Sequence, residues 1–519
     1  MADLIENKLR RVIPNWRSYK TSLLLGELNS FGKNDKFNVP QDLLESYIYD
    51  WSIQKDLAHA GDLCSAAVVH GLTSNEDVKE AATFILKSER QTSGPLINLA
   101  ERILQNKFDR SSNAKIDIED ISQVIQPDKL ATFLNREIFY KKIRDIKSTL
   151  KAYPRNAIQY VELSRYYSIL GERDKAIKCM ELSLALNRNN RFILRSAVRL
   201  YSHFGLEKNA QRLLLNSRIS KYDPWLVSAE LAVSMLLNES PRFYRVGMEL
   251  LDSGKFSPFD YSELASSLGT IEMFNGKKKK SKDLFALSLQ NPNDNALAQF
   301  RWASHKESYL SEVEGKNEVL YNYEPEALWQ FYNGEYERAL DNTIRWFIDL
   351  PYARRPVLFG SIIGSVILKD QGRSIELLKA GLVSHPNDPQ MLNGLAYSLA
   401  LLNKTEEASA EIKKAENLVN IENSTRVCLA ATRGLIEFRK GNFLAGRMLY
   451  LDAMKQAKEL KIENFYALAL VNYAREEVRI NSEVVPSILD EINKLRGIEN
   501  HIEIKVLKDD VLAEFNQRK

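Results

Sequence analysis

Short amphipathic segments separated by tight polar turns make up most of the chain, and the stretch 389–422 shows the pattern best. Apolar and small residues recur every three or four positions on both sides of a polar turn at Asn403, Lys404 and Thr405. This pattern predicts two helices that form a hairpin, which must stack on similar hairpins to bury its apolar face. The two apolar faces comprise Leu392, Leu395, Ala396 and Leu399, then Ala408, Ile412 and Ala415.

An aromatic residue, a glycine and a small residue recur 34 positions apart in successive segments. The first set is Tyr167, Gly171 and Ala176, and the second is Tyr201, Gly205 and Ala210. Glycine can end the first helix of a hairpin, and the small residue lets its two helices approach closely. This pattern resembles the tetratricopeptide repeat (TPR) family, whose units are helix–turn–helix hairpins of 34 residues. The resemblance implies about seven to eight hairpins over residues 154–495.

The resemblance implies an all-α fold, a right-handed superhelical solenoid of TPR-like hairpins preceded by an α-helical N-terminal region. For the more degenerate repeats, hairpins of the HEAT type are the structural alternative. A C-terminal capping helix is expected because a terminal repeat exposes its apolar face. The predicted regions are the N-terminal helices at 1–150, a first sub-array at 151–307, an irregular connector at 308–320, a second sub-array at 321–495 and the capping helix at 496–519.

Composition indicates a folded protein without a strong charge. The 72 basic and 68 acidic residues give a net charge of +4, too small by itself to indicate a nucleic-acid or membrane partner. Three widely spaced cysteines predict a reducing, cytoplasmic setting. The N-terminus lacks a secretory apolar core, and the longest apolar run, at 356–368, is shorter than the roughly 20 residues that span a bilayer.

Catalytic patterns are missing from the sequence. The six histidines show no metal-ligand spacing, and no phosphate-binding loop, dinucleotide-binding turn or nucleophile elbow occurs. Asp117, Glu119 and Asp120 could hold a divalent metal ion, but acidic residues are also common at the start of a helix. We therefore predict a non-enzymatic protein without metal or cofactor, and leave the question open only for residues 1–150.

The family resemblance places the first helix of each hairpin along a concave groove. In the first sub-array, Arg165, Arg195 and Arg199 should then point into this groove. Because arginine binds carboxylates through a planar fork, we predict an electropositive groove that holds an acidic peptide or the C-terminus of a partner protein. The alternative is that these arginines pair with Glu162, Glu172 or other acids on neighbouring helices. The lysine and asparagine set of carboxylate-clamp members is not reproduced, so a chaperone C-terminus is not implied.

The equivalent groove of the second sub-array should be more apolar. The 34-residue spacing places Phe359 and Ile363 in the same positions as Asn393 and Tyr397. Such a surface suits a helix of a partner protein. The alternative is that a neighbouring helix of the same protein already covers it.

A run of four lysines, Lys277, Lys278, Lys279 and Lys280, follows Gly276 at a predicted turn. A concentrated positive charge could contact a phosphate or an acidic protein, although four lysines make a small footprint for DNA. The alternative is a fully solvated turn.

The predicted function is a scaffold or adaptor that binds a protein partner through the concave face of the solenoid, as part of a multi-component assembly. The alternative is a nucleic-acid-linked regulator or a component of a defence system, with the N-terminal region as effector. That alternative depends on a basic stretch beside Trp16 that could contact phosphates. The stretch contains Lys8, Arg10, Arg11, Arg17 and Lys20.

Overall fold

The structure is a computed structural model that describes residues 10–27, 41–70, 73–88, 94–105, 130, 133–315, 319–495, 497 and 501–518. These ranges contain helices and no strand, which confirms the all-α class. Their contacts divide them into two compact units. The first unit comprises the described residues within 10–126 and 135–332, and the second those within 127–134 and 333–519. The domain boundaries expected from the sequence stay predictions.

The first unit begins with a group of helices, most of which pack on their neighbours in the sequence. Asn75 caps one of them, because its side chain accepts a hydrogen bond from the backbone N–H of Asp77 at 2.8 Å. Trp51 is buried and packs edge-on against Phe84, with ring centroids 5.4 Å apart. These helices are α1 Tyr19–Leu24, α2 Gln41–Ile53, α3 Leu57–His70, α4 Glu76–Lys87, α5 Gly94–Leu104 and α6 Arg136–Ala152.

Five helical hairpins follow in the first unit. Each odd-numbered helix pairs with the next even-numbered helix, and successive odd-numbered helices pack on one another from α7 to α15. This is the TPR-like arrangement that the 34-residue spacing predicts. The helices are α7 Ala157–Ile169, α8 Arg173–Leu186, α9 Arg191–His203, α10 Glu207–Asn216, α11 Pro224–Leu236, α12 Tyr244–Asp252, α13 Pro258–Phe274, α14 Lys278–Ser288, α15 Asp294–Lys306 and α16 Tyr323–Tyr332.

The repeated glycine and alanine have the roles predicted for them. Gly171 and Gly205 lie just past the ends of α7 and α9 with φ of +71° and +69°, a conformation that glycine adopts without strain. Ala176 and Ala210 are completely buried within their hairpins. The hydroxyl of Ser164 donates to the carbonyl oxygen of Ala176 at 2.7 Å, so the two helices are close enough for a direct hydrogen bond.

The second unit is also built from stacked helical hairpins, but here the first helix of each hairpin has an even number. Here α18, α20, α22 and α24 are the first helices of successive hairpins and pack on one another, while α26 packs on α24. A π-helical turn, Ile363–Ile367, follows α18 directly. The helices are α17 Tyr336–Asp349, α18 Arg354–Ile362, α19 Gln371–Ser384, α20 Pro389–Leu401, α21 Thr405–Glu416, α22 Asn423–Arg439, α23 Phe443–Glu459, α24 Glu463–Arg479, α25 Val485–Asn493 and α26 Ile502–Arg518.

In both units, an arginine of one hairpin is bound to the aspartate that caps the next first helix. Arg191 donates to both carboxylate oxygens of Asp223, at 2.5 and 2.6 Å, and this arginine side chain is fully buried. Arg354 pairs with Asp388 in the same way but is partly exposed. Each aspartate also accepts a backbone N–H in the first turn of its helix. The same carboxylate therefore caps a helix and joins two hairpins.

We expect Asp223→Ala to be much more damaging than Asp388→Ala. Loss of Asp223 removes a helix cap and leaves the buried Arg191 without its counter-charge, which costs about 3–5 kcal/mol in the free energy of unfolding. Loss of Asp388 removes a similar cap, but water can solvate Arg354, so about 1–2 kcal/mol is expected. Urea unfolding followed by circular dichroism measures both losses. Equal losses would contradict this account of the Arg191–Asp223 pair.

Candidate functional site

An irregular stretch near the N-terminus lies across the first helices of the first unit. We call residues 10–19 the N-terminal segment, and the surface formed by α7, α9, α13 and α15 the first inner face. Residues 10–18 form neither helix nor strand. The backbone N–H of Tyr19 donates to Glu162 on α7 at 2.6 Å, and its ring packs against Phe192 on α9. Asn295 on α15 donates to the carbonyl oxygen of Ile13 at 2.9 Å.

Arg10 forms several hydrogen bonds that fix the N-terminal segment in place. Its Nε and Nη2 atoms donate to the two carboxylate oxygens of Glu324, at 2.8 and 3.0 Å. The guanidinium also donates to Asn295 at 3.0 Å and to Gln299 at 2.9 Å, and the residue is only 4% exposed. Gln299 in turn donates to the carbonyl oxygen of Arg10 at 3.2 Å. Bidentate pairing of this kind fixes both charge and orientation.

Arg17 is bound at a second position on the same face. Its Nη2 donates to Asp294 at 2.7 Å, and its guanidinium lies 5.2 Å from the ring centroid of Tyr321. The amide of Asn15 donates to the same Asp294 oxygen at 2.8 Å. Glu27 lies beside Arg17, and burial raises the pKa of the Glu27 carboxyl to about 7 although Arg17 opposes the shift. The surroundings of Arg17 are therefore enclosed and predominantly acidic.

The prediction of an electropositive groove at Arg165, Arg195 and Arg199 needs correction. Arg165 forms a salt bridge to Glu162 at 3.2 Å, as the alternative interpretation proposed. Arg195 is buried and donates to both oxygens of Glu263, at 2.8 and 3.2 Å. Arg199 is half-buried. A charge on a closely packed helix face requires a counter-charge, so Arg165 and Arg195 are already neutralised.

Most described residues of the basic stretch near the N-terminus are buried, whereas contact with phosphates would need exposed side chains. Arg10, Arg11 and Arg17 are buried, while Lys20 is exposed. Arg11 lies over the ring of Phe274, 5.3 Å from its centroid. Two of the predicted features fall outside the described residues. They are Lys8 and the acidic group Asp117, Glu119 and Asp120.

The first helices of the second unit enclose a cavity of about 80 Å³. We call the surface formed by α18, α20, α22 and α24 the second inner face. Of the predicted groove residues, Asn393 and Tyr397 line this cavity. The rest of the lining is mainly apolar or small. It includes Leu358, Ile362, Val366, Val427, Cys428, Ala431, Phe465, Leu468 and Ala469.

Phe359 and Ile363 are buried and do not line the cavity, so partner binding by these two residues stays a prediction. Their neighbours Leu358 and Ile362 line the cavity instead. Adjacent residues of a helix point about 100° apart. Residues 34 positions apart on α18 and α20 therefore face the cavity together only if the two helices turn the same side towards it. The π-helical turn that starts at Ile363 also breaks the regular spacing.

Polar groups meet at one wall of this cavity. The hydroxyl of Tyr397 donates to Asn472 at 3.1 Å and accepts from Arg475 at 2.9 Å. Arg475 in turn is bound to Glu476 at 2.9 Å. Asn393 is 5% exposed, and among the described residues no donor reaches its side-chain oxygen. The sequence predicts Asn393 and Tyr397 as groove residues, but it contains no signal for Asn472 and Arg475.

Helix α26 closes part of the second inner face. Its Leu507 contributes to the cavity lining, and Ile504 and Val511 on the same side are buried. Lys369, just after the π-helical turn, forms a salt bridge to Asp510 of α26 at 2.7 Å. The alternative that a helix of the same protein covers this face therefore holds for part of it.

The lysine run contacts a buried carboxylate rather than lying fully in solvent. Lys277 and Lys280 form salt bridges to Glu272, at 3.2 and 2.7 Å. Lys278 lies 5.6 Å from the ring centroid of Tyr309. Binding of an anion at this run stays a prediction, now with two of the four charges already paired.

Neither a metal-binding cluster nor a membrane-spanning helix occurs in the described ranges. Within them, no group of three or more histidine, cysteine or acidic side chains is placed to hold a metal ion. None of the helices described there is both long and apolar enough to cross a membrane.

Searches of protein-family models and of curated proteins find no match to the chain. Solved structures with similarity include yeast Tom70, at 14% identity and TM-score 0.30, covering 77% of this chain and 97% of that one. Another is the APC/C hetero-tetramer Cut9-Hcn1, at 13% identity and TM-score 0.40, covering 97% and 94%. The P58(IPK) TPR domain matches at 12% identity and TM-score 0.21, covering 70% and 99%. Similarity this weak does not establish a family or a function, so the TPR-like assignment depends on how the helices of this protein pack.

Glu272 gives the protein a specific sensitivity to acid. Burial opposes its ionisation, but hydrogen bonds from Lys280, Tyr244 and Lys277 outweigh burial and lower the pKa of the carboxyl to about 2. Because the folded pKa lies below the ordinary value of 4.5, this contribution to stability is complete above pH 4.5 and is lost as the pH falls towards 2. We expect Glu272→Gln to lower stability at pH 7 and to weaken the loss of stability between pH 4.5 and 2.

Thermal unfolding of both proteins from pH 7 to pH 2 measures this effect. Glu312→Gln is a matched control, because Glu312 also pairs with a lysine but is highly exposed. A parallel pH dependence of the wild type and Glu272→Gln would show that the cluster does not hold an ionised carboxylate.

Proposed function

We propose that this protein is a non-enzymatic scaffold or adaptor whose second inner face binds a helix of a partner protein. Asn393 and Tyr397 are the proposed recognition residues. The partner belongs to a multi-component assembly in this proposal. A cytoplasmic location is part of it, since Cys64, Cys179 and Cys428 are free thiols, as suits a reducing compartment.

The observation that carries this proposal is the buried side-chain oxygen of Asn393. A buried acceptor without a donor is unfavourable by about 1–3 kcal/mol, which a hydrogen bond from a bound partner would recover. The acceptor lies beside a largely apolar surface. This combination suits an apolar partner side chain that carries one hydrogen-bond donor, such as a tryptophan.

The size of the cavity favours a protein partner over a small molecule. Sites for drug-sized ligands usually have volumes of about 300–1,000 Å³. The cavity here measures about 80 Å³ with Leu507 of α26 at its edge. It can therefore accept one inserted side chain, while the rest of a partner helix lies along the first helices.

Helix α26 provides an example of a helix that suits this face. Ile504, Leu507 and Val511 place apolar groups at helical spacing against the second inner face. A partner helix with the same spacing would bury similar area and could add the donor for Asn393. In the proposed complex, the partner takes the place of α26 at the cavity.

The proposal predicts that Asn393→Leu weakens partner binding by roughly five- to 150-fold, the equivalent of one lost hydrogen bond to a buried acceptor. A photoreactive amino acid at position 428, which lines the cavity, identifies the partner by cross-linking in native cells. The affinity of the purified pair, with and without Asn393→Leu, then gives the change.

Leu444→Glu is the matched control, because Leu444 lies on α23 outside the cavity lining and is 72% exposed. This variant should keep full affinity. A partner that cross-links at 428 but binds the Asn393→Leu protein with unchanged affinity would exclude Asn393 as a recognition residue. A protein that binds the wild type but is never cross-linked from 428 would exclude the second inner face.

A further inference from the structure

The contacts of the N-terminal segment divide into two kinds. Gln299 and Asn295 donate to the backbone carbonyl oxygens of Arg10 and Ile13, at 3.2 and 2.9 Å. Bonds to backbone atoms can form with a peptide of any sequence. The carboxylates of Glu324 and Asp294 bind arginine side chains, which makes the surface selective. General binding of a backbone combined with selective binding of two side chains is how a surface recognises a peptide.

The charge balance of the first inner face and α16 points to the same kind of ligand. Their carboxylates in this region are Glu162, Glu263, Asp294 and Glu324. Two of these charges are balanced by Arg165 and Arg195 of the same helices. The other two carboxylates, Glu324 and Asp294, are bound by Arg10 and Arg17 of the N-terminal segment. An acidic surface of this kind repels phosphate, which disfavours nucleic acid as its ligand.

We propose that the first inner face is a binding site for a non-helical partner segment with two arginines seven positions apart, and that the N-terminal segment occupies this site in cis. The inference rests on the proposed scaffold function but concerns a separate face and different residues. The two arginines of the partner segment take the positions of Arg10 and Arg17. Its backbone carbonyl oxygens accept the same hydrogen bonds from the side-chain amides of Asn295 and Gln299. An aromatic residue before the second arginine, corresponding to the buried Trp16, completes the motif.

The geometry allows exchange without disruption of the hairpins. Residues 10–18 take part in no helix or strand, whereas each helix from α7 to α16 contacts other helices of the array directly. The bonds that hold Arg10 come from side chains of the array, and Arg17 is bound by Asp294 of the array and by Glu27 of the N-terminal stretch itself. A competing segment that supplies the same groups can therefore replace them one for one. The N-terminal segment then acts as a built-in competitor that sets a threshold for partner binding.

Peptide exchange on the full-length protein tests this proposal. A protease site inserted within residues 28–40 lets the N-terminal segment be cut from α2 without changing any contact described here. A fluorescent peptide with the sequence of residues 10–27, which includes α1 and Glu27, is then added to the cut protein. We expect the peptide to be incorporated at one per protein, measured by fluorescence anisotropy and native mass spectrometry. Unlabelled peptide of the same sequence should compete.

The matched control is the same peptide with Arg10→Glu and Arg17→Glu. Reversal of both charges opposite Glu324 and Asp294 should weaken binding by roughly 30-fold or more. The uncut protein should take up the peptide far more weakly, because its own segment remains tethered and competes.

Two results would overturn the proposal. If the cut protein incorporates neither peptide, the N-terminal segment is a permanent part of the core. If both peptides are incorporated equally, the two carboxylates do not select arginine. Neither result affects the second inner face, which is tested by Asn393→Leu, so failure of this inference can be distinguished from failure of the scaffold proposal.

Discussion

The structure depends on one constraint, that a charged side chain on a packed helix face must meet an opposite charge. The stacked first helices of the first unit carry buried carboxylates, and these are bound by arginines and amides. The bidentate pair between Arg10 and Glu324 is the clearest example, because both side chains are almost completely enclosed. A buried ion pair of this kind contributes more to specificity of position than to net stability, whereas loss of one member is costly.

This constraint explains how, in the first unit, a segment of the protein itself is held where a partner was expected. In the first unit, residues 10–19 take the inner face through charge pairs and backbone hydrogen bonds. In the second unit, α26 covers part of the inner face through apolar contacts, an exposed salt bridge and hydrogen bonds from Arg518. The two faces therefore differ in chemistry, one acidic and one largely apolar, and we propose different classes of partner segment for them.

The repeat architecture could be predicted from sequence because its signals are local. Gly171 and Ala176 act within one hairpin, and their equivalents at Gly205 and Ala210 lie one repeat later. Asn393 and Tyr397 line the cavity, and α20, which carries them, belongs to the most regular stretch of the sequence. Phe359 is buried and does not line the cavity, and the sequence shows no clear signature of the π-helical turn that follows its helix.

The occupant of the first inner face could not be predicted, because the decisive contacts join distant parts of the sequence. Arg10 and Glu324 are 314 positions apart. The position of Arg195 on α9 predicted a side chain open to the groove. Its partner Glu263 lies on α13, 68 positions later, so the repeat spacing did not indicate the pair. Repeat spacing identifies which residues share a face, yet it does not say which charges on that face are already paired.

Hydrogen exchange of the intact protein, followed residue by residue under native conditions, tests the central claim most directly. If the N-terminal segment and α26 are exchangeable occupants, the amide of Tyr19 and those of α26 should exchange through local openings. The free energy of these openings should lie well below that for α11 and α20, the packed first helices of the two units. The account is contradicted if Tyr19 and α26 exchange only together with α11 and α20, at the free energy of global unfolding. Both segments would then be permanent parts of the core.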